Sequence, residues 1–214
     1  VTDQCGFDTT FTHTINVVDD VAPSIGSGYA TTVEATVRNC AYTYPDLREI
    51  IREHSTDNCT AVGALGITQS PAQGAPITQT DEAQTLPVTV TVKDSCNKET
   101  TTTIYVTVPA QLKLAETHTD ETCNESNDGT IVLTVTGGKE NYRYSWQKDG
   151  SSYSPATPDL NGLEAGTYTV TVADAHGCTA TISATIVQPD PLQITILSSA
   201  SNCYNLDDGY INYT

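Results

Sequence analysis

The chain alternates apolar and polar residues in Leu86-Pro87-Val88-Thr89-Val90-Thr91-Val92-Lys93. Its valines would face one side of an extended strand, and its threonines and lysine the other. The same period of two recurs at residues 131–136, 167–172 and 179–186. Such alternation is typical of antiparallel strands with one buried face. Threonine suits the outer face because it is β-branched yet stays hydrated, and the chain holds 37 threonines.

Turn signals separate these segments at short intervals, as in Asn127-Asp128-Gly129, Gly137-Gly138 and Asn161-Gly162. Many short strands with such turns predict an all-β fold of tandem Ig-like β-sandwich modules, arranged as beads on a string. One short helix is predicted near residues 45–54. Its apolar residues recur at helical spacing behind a proline.

Charge and hydropathy exclude several classes of partner. The chain has 26 acidic and 9 basic side chains, a formal net charge of -17. Nucleic acid is not expected as a partner, because a phosphate backbone recruits clusters of Lys and Arg. No apolar run approaches the roughly 18 residues of a spanning helix, so no membrane insertion is expected. The first residues show no initiator Met and no export signal, and we expect a window of a longer chain.

Internal repeats predict the domain organisation. The pattern Val1-x-Asp3-x-Cys5 recurs 91 residues later as Val92-x-Asp94-x-Cys96, and Cys123 with Asp128-Gly129 recurs 80 residues later as Cys203 with Asp208-Gly209. Four pieces in line follow from these offsets: a module tail (1–19), a full Ig-like module (20–109), a second type of module (110–189) and the start of another copy of that second type (190–214).

The second type of module carries Asn127-Asp128-Gly129-Thr130-Ile131, Tyr142-Arg143-Tyr144-Ser145-Trp146, and the stretch from Gly166 to Val172. In these residues it resembles SprB-type repeats, which occur in large cell-surface adhesins of gliding and related Bacteroidota. It covers residues 112–189, with a further start in 190–214. Asn141 departs from the family, which usually carries proline there.

The preceding module, residues 20–109, carries Asp20-x-Ala22-Pro23, Asp57-Asn58-Cys59 and Asp94-x-Cys96. In these motifs it resembles the HYR group of Ig-like domains, although Asn97-Lys98 replaces the usual Gly-Asn.

Together the two resemblances imply a non-catalytic repeat segment of a secreted, extracellular adhesin or surface-fibre stalk, exported by the type IX route. Its partners would be an extracellular surface or glycan, or neighbouring copies of itself. Two alternatives remain open: a segment of a self-assembling filament or sheath, and a carbohydrate-binding accessory region of a large secreted enzyme.

The module assignment also implies a disulfide pattern in an oxidising compartment. Cys123 is expected to pair with Cys178, and Cys59 with Cys96. Cys5 and Cys203 would pair outside the window, and Cys40 is left over. A rival pairing joins Cys40 to Cys59 and leaves Cys96 free.

No catalytic motif is present, so the chain is not expected to be an enzyme. Calcium is the one cofactor considered, with Asp19, Asp20 and Asp94 as candidate ligands near module ends. The stretch Asn124-x-Ser126-x-Asp128-Gly129 resembles the start of an EF-hand loop but has valine at position twelve.

Two further hypotheses concern glycans. Trp146 and Tyr144 are either core residues, with Trp146 packed against the Cys123–Cys178 bridge, or a platform for glycan stacking. Thr9, within Asp8-Thr9-Thr10, fits a bacterial O-glycosylation pattern.

Overall fold

The computed structural model describes residues 18–195 and the backbone of 197–198 and 211–212. The chain divides into two compact units, Val1–Val108 and Pro109–Thr214. Nearly all of the regular secondary structure in the described residues is β-strand, so the predicted all-β class is confirmed. The finer division into four modules stays a prediction.

Residues 18–108 of the first unit form nine strands in three sheets. One sheet has the order β2-β9-β8-β6, with β2 parallel to β9, a second has the order β3-β4-β7, and β1 pairs with β5. The strands are β1 Ser24–Ile25, β2 Thr32–Glu34, β3 Thr36–Arg38, β4 Ala41–Thr43, β5 Ser55–Thr56, β6 Gly66–Ser70, β7 Pro76–Ile77, β8 Gln84–Lys93 and β9 Glu99–Val108.

The core of the first unit lies where the alternation in β8 predicts it. Val88, Val90 and Val92 are fully buried, and they pack with apolar residues of β9 and with Tyr42 of β4. The predicted helix forms as α1, Arg48–Arg52, and its Ile51 side chain enters the same core. A 3-10 turn follows at Val62–Ala64.

The second unit is a sandwich of two antiparallel sheets. One has the order β10-β11-β14 and the other β13-β12-β15-β16. The strands are β10 Lys113–Thr119, β11 Gly129–Thr136, β12 Arg143–Lys148, β13 Ser151–Tyr153, β14 Leu160–Leu163, β15 Gly166–Ala173 and β16 Thr179–Ile186. Farther along the chain, β17 Leu197–Ser198 pairs with β18 Ile211–Asn212.

Both sheets of this sandwich contribute to one core. Ile131 and Leu133 from β11 meet Trp146 from β12 and Val170 and Val172 from β15. The outer face of β15 and β16 carries hydroxyl pairs across the strands, such as Thr169 with Ser183 at 2.8 Å. The period of two therefore separates an apolar inner face from a hydrated outer face, as the sequence predicts.

The helices of the described residues are short. None of them has the length and apolar character that crossing a bilayer requires.

Candidate metal centre

Three carboxylates of the first unit converge from distant parts of its sequence. Asp19 precedes β1, Asp57 follows β5, and Asp94 follows β8. One carboxylate oxygen from each lies within 4.8 Å of the others. Asp19 and Asp94 are only 5% and 6% exposed, and Asp57 is half-buried. The three loops therefore bring negative charge together in a place that water reaches poorly.

Each carboxylate uses one oxygen to organise its own loop. Asp19 Oδ1 accepts the N–H of Val21 at 3.2 Å. Asp57 Oδ2 accepts the N–H groups of Cys59 and Thr60 at 3.0 and 2.6 Å. Short acidic side chains often fold a loop in this way, by accepting a backbone N–H two residues on.

Asp94 does the same at the turn between β8 and β9. Its Oδ1 accepts the N–H groups of Cys96 and Lys98, both at 2.8 Å. These bonds place the carboxylate at the start of the turn and turn its remaining oxygen away from the backbone donors.

The second oxygen of each carboxylate is buried and has no hydrogen-bond partner. These atoms are Asp19 Oδ2, Asp57 Oδ1 and Asp94 Oδ2. Buried polar atoms in folded proteins are nearly always paired, because an unpaired one loses its hydration without compensation. Three such atoms on three neighbouring carboxylates are what an oxygen-coordinated cation would satisfy.

Two groups at the cluster, the Asp57 carboxyl and the Cys59 thiol, have shifted pKa values. The Thr60 N–H holds the pKa of Asp57 below its ordinary value, so this carboxylate is ionised near neutral pH. Loss of hydration, followed by the charges of Asp19 and Asp57, raises the pKa of the Cys59 thiol. The thiol beside the cluster therefore stays protonated and adds no negative charge.

The structure brings together two of the three residues predicted as calcium ligands and replaces the third. Asp19 and Asp94 are in the cluster, whereas Asp20 is exposed and lies outside it. Asp57 replaces it and was not predicted as a ligand. A signal for Asp57 existed, since Asp57-Asn58-Cys59 and Asp94-Ser95-Cys96 share the Asp-x-Cys spacing.

Two carboxylates of the second unit, Glu121 and Asp128, have hydrogen-bond partners on both oxygens. Glu121, which is 4% exposed, accepts the N–H of Ala165 and of Asn127. Asp128 accepts the hydroxyls of Thr122 and Ser126 within its own loop. The EF-hand-like stretch is therefore a self-satisfied turn, which agrees with its lack of an acidic residue at position twelve.

The predicted Cys123–Cys178 bridge is wrong. In the described part of the chain Cys123 is a free thiol, while Cys178 is disulfide-bonded. The loop holding Cys123 contacts residues 187–189, beyond the last residue of β16, through bonds such as Glu121 N–H to Val187 O. Cys178 precedes the first residue of the same strand. Eight extended residues, about 25 Å, separate the two positions.

The Cys59–Cys96 bridge is also not formed, because both thiols are free. Their loops do meet as expected, since the Thr60 and Ser95 hydroxyls are 3.0 Å apart. The raised pKa of Cys59 disfavours the thiolate from which a disulfide forms. The free state of Cys59 excludes the rival Cys40–Cys59 pair as well.

Cys40, which the sequence left without a role, is disulfide-bonded. It follows Asn39 in the β3–β4 hairpin, and both residues have positive φ, as a two-residue turn of this kind requires. Cys5, Cys203 and Thr9 lie outside the described residues, so their predicted roles stay predictions.

The indole of Trp146 is a core group. It is 2% exposed, and its Nε1–H donates to Thr157 O at 3.0 Å. Tyr144 is half-buried and packs against the same core. The indole of Trp146 is therefore not available to stack on a glycan, and Trp146 is a core residue as one of the two hypotheses predicted. The Cys123–Cys178 bridge that was expected to pack against it is not formed.

Residues 115–150 match the family model described as SprB repeat. The matched segment runs from β10 through β12 and includes Trp146. The SprB resemblance is thereby supported over part of the predicted span, whereas the HYR resemblance stays a prediction. No match was found among the curated proteins.

Solved structures similar to the chain include multi-domain Ig proteins. The N-terminal four Ig domains of Dscam1 isoform 6.9 share 14% identity at a TM-score of 0.40, with 82% of this chain and 48% of that chain covered. For Dscam1 isoform 9.44 the values are 13%, 0.37, 78% and 46%. For murine CEACAM1b they are 16%, 0.27, 78% and 84%. The chain spans about half the length of the Dscam1 chains.

Proposed function

We propose that the chain is a non-catalytic repeat segment of a large secreted cell-surface adhesin or surface-fibre stalk. The observation that carries this proposal is the SprB repeat match at residues 115–150, since such repeats suggest a surface adhesin-type region. The chain would supply reach and stiffness outside the cell. The resemblance to HYR domains over residues 20–109 is part of the same proposal.

The fold supports a mechanical rather than a chemical role. The aromatic groups Trp146 and Tyr168 are 2% and 1% exposed and serve the core. Tyr168 also ties β15 to the preceding turn, donating its hydroxyl to Glu164 O at 3.1 Å. A hydroxyl bonded back to the chain a few residues upstream is a recurring brace in Ig-like sandwiches.

The surface supports separation between neighbouring fibres. A formal charge of -17 on 214 residues keeps identical chains apart at low salt, because like charges repel over about one Debye length. Hydroxyl pairs such as Thr171 with Thr181 cover the outer face of β15 and β16. A hydrated face of this kind, on an acidic chain, suits a stalk better than an adhesive patch.

Surface location is tested on intact cells of the organism that makes the chain. Antibodies against residues 109–195 should label intact cells, and brief external protease treatment should remove the label. Labelling that requires permeabilisation would contradict the proposal. A cytoplasmic protein labelled only after permeabilisation serves as the control.

Exchanging one module for an unrelated one distinguishes a stalk, which only gives reach, from a module that itself contacts the target surface. Residues 109–189 are replaced in the parent gene by an unrelated β-sandwich of similar length. A stalk predicts that attachment to surfaces is retained, while deletion of the same residues without replacement reduces it. Loss of attachment in both strains would show that this unit itself makes the contact.

Self-assembly into a filament is tested with the purified chain. A stalk segment should sediment as a monomer over a wide concentration range at low and at physiological salt. Concentration-dependent growth, visible by light scattering and negative-stain imaging, would favour the filament alternative.

A further inference from the structure

We propose that Asp19, Asp57 and Asp94 form a calcium-binding site within the first unit. The site would take one Ca²⁺ through a carboxylate oxygen from each residue, with the remaining ligands supplied by water and backbone carbonyls. This inference does not depend on the proposed function, since it concerns the folding of one unit.

The decisive observation is that the two oxygens of each carboxylate differ in their hydrogen bonding. One oxygen accepts backbone N–H groups of its own loop, and the other is buried without a partner. Turn formation explains the first oxygen and leaves the second unexplained. The unpartnered atoms belong to three acids whose oxygens lie within 4.8 Å of one another, two of which are more than nine-tenths buried.

The second unit provides an internal comparison. Asp174 also follows a long strand, and its Oδ1 accepts the N–H groups of His176 and Cys178. Its Oδ2 accepts the Lys139 N–H at 3.0 Å, so both oxygens are satisfied. The same turn therefore forms without any unpaired oxygen, which shows that the unpaired atom at Asp94 is not a requirement of the turn.

The chemistry of the donor set selects calcium. Carboxylate oxygens are hard ligands, whereas zinc in proteins favours His and Cys. Two oxygens bound to one Ca²⁺ at about 2.3–2.6 Å lie at most about 5 Å apart, so carboxylate oxygens within 4.8 Å of one another can share one Ca²⁺. Mg²⁺ demands near-ideal octahedral geometry and keeps several of its waters, whereas Ca²⁺ accepts an irregular set of protein oxygens, so this buried cluster favours Ca²⁺.

Calcium at this position would join three separate segments of the first unit. These are the chain entering β1, the loop after β5 and the turn between β8 and β9. Without the cation, three neighbouring carboxylates repel one another, and binding replaces that repulsion by attraction. Calcium should therefore stabilise the folded unit. Extracellular modules that bind calcium commonly do so with Kd of about 10⁻⁴–10⁻³ M.

The test is scanning calorimetry of the whole chain in CaCl₂ and in EDTA. At a calcium concentration 100 times Kd, the ratio of folded to unfolded first unit should rise about a hundredfold. That change corresponds to a rise of about 10 °C or more in the Tm of one transition. The transition of the second unit should stay within about one degree, and isothermal titration with CaCl₂ should show one site.

Asp57→Asn distinguishes a cation site from a purely structural cluster. Asparagine can still accept the N–H groups of Cys59 and Thr60, but it removes one negative charge. In EDTA the variant should melt at or above the native temperature, because repulsion is relieved. In CaCl₂ it should melt below the native chain, and its calcium affinity should fall at least tenfold.

Two further variants complete the design. Asp94→Asn should repeat the loss of calcium response, and Asp174→Asn should lower the Tm of the second unit equally in both solutions. Absence of a calcium shift in the native chain, or an undiminished shift in both Asp57→Asn and Asp94→Asn, would overturn the proposal. An equal shift with MgCl₂ at the same concentration would overturn the assignment to calcium.

Discussion

Asp94 of the first unit and Asp174 of the second accept hydrogen bonds in the same way at the same kind of turn. Each follows a long strand, and each Oδ1 accepts N–H groups two and four residues on. A cysteine lies in or directly after both turns, as Cys96 and Cys178. The two carboxylates differ in the other oxygen, which is unpaired in Asp94 and bound to the Lys139 N–H in Asp174.

Replacing Asp174 by alanine should destabilise the second unit. Three backbone N–H groups would lose their acceptor in a place where Asp174 is only 4% exposed. We expect a loss of about 3 kcal/mol in the free energy of unfolding, measured by urea titration. The loss should be the same with calcium and with EDTA. A change below about 0.5 kcal/mol would contradict the capping role.

Gly137 should tolerate no side chain. Its φ is +69°, and a Cβ there would lie 2.0 Å from the backbone oxygen of Gln111. Gly150 has a similar φ of +77° with open space around it. Gly150→Ala should therefore cost about 1 kcal/mol from backbone strain alone. Gly137→Ala should cost at least about 3 kcal/mol in urea unfolding, and equal costs would contradict the steric explanation.

Truncating Trp146 should remove core packing and one hydrogen bond. Trp146→Ala is expected to lower the unfolding free energy by about 3–5 kcal/mol, and Trp146→Phe by less, since the ring volume is partly kept. Circular dichroism against urea measures both. In the native chain, the fluorescence of this single tryptophan should resist quenching by iodide, because the indole is 2% exposed. Ready quenching would contradict its burial.

Asp128 should make the stability of the second unit depend on pH in the acid range. The hydroxyls of Ser126 and Thr122 lower its pKa from 3.8 to about 2. A pKa that is lower in the folded state contributes stability that is complete above the unfolded pKa. That contribution is lost as pH falls through the folded pKa. The difference in urea midpoint between the native chain and Asp128→Ala should therefore be full at pH 5.5 and smaller at pH 2.5.

Thr122→Val serves as the matched control for that measurement. It removes one of the hydroxyl donors and keeps the carboxylate. Part of the pH-dependent difference should disappear with it. A difference between the native chain and Asp128→Ala that is constant from pH 5.5 to pH 2.5 would contradict the lowered pKa.

Alkylation before and after reduction should separate the cysteines of the described chain into two groups. Without reduction, iodoacetamide should label the free thiols of Cys59, Cys96 and Cys123. Cys40 and Cys178 should be labelled only after reduction, because both are disulfide-bonded. Peptide mapping by mass spectrometry reads out each site. A Cys123–Cys178 peptide in the unreduced digest would contradict the structure.

The rate at which iodoacetamide alkylates Cys59 tests the raised pKa of this thiol. Its pKa is raised by loss of hydration and then by Asp19 and Asp57, so its thiolate fraction at pH 8 is low. Asp19→Asn in EDTA should speed its alkylation severalfold by removing one neighbouring charge. Cys123, which lies in the other unit, should react at an unchanged rate.

The period-two alternation predicted the fold well, because a strand places successive side chains on opposite faces whatever its partners are. The valines of β8 are buried, and so are Tyr168, Val170 and Val172 of β15. Helix α1 was also predicted correctly, since the helical spacing of its apolar residues is visible within a few positions of the sequence. These features depend on residues within a few positions of one another.

The disulfide pairing could not be predicted from the sequence, because it depends on where the ends of the strands lie in space. Cys123 and Cys178 flank one module in the sequence, yet they sit at opposite ends of β16. Proximity of the two loops was also insufficient at Cys59 and Cys96, because both thiols are free. Both outcomes require the tertiary arrangement.

By itself the sequence determined the β-rich class, the buried faces of the strands, the turn positions and the resemblance to a surface repeat. It also marked Asp19 and Asp94 as candidate ligands. Only the tertiary structure decided that Asp57, and not Asp20, completes the cluster. The physical reason is that the three carboxylates come from loops 38 and 37 residues apart, and only strand pairing and core packing bring those loops together.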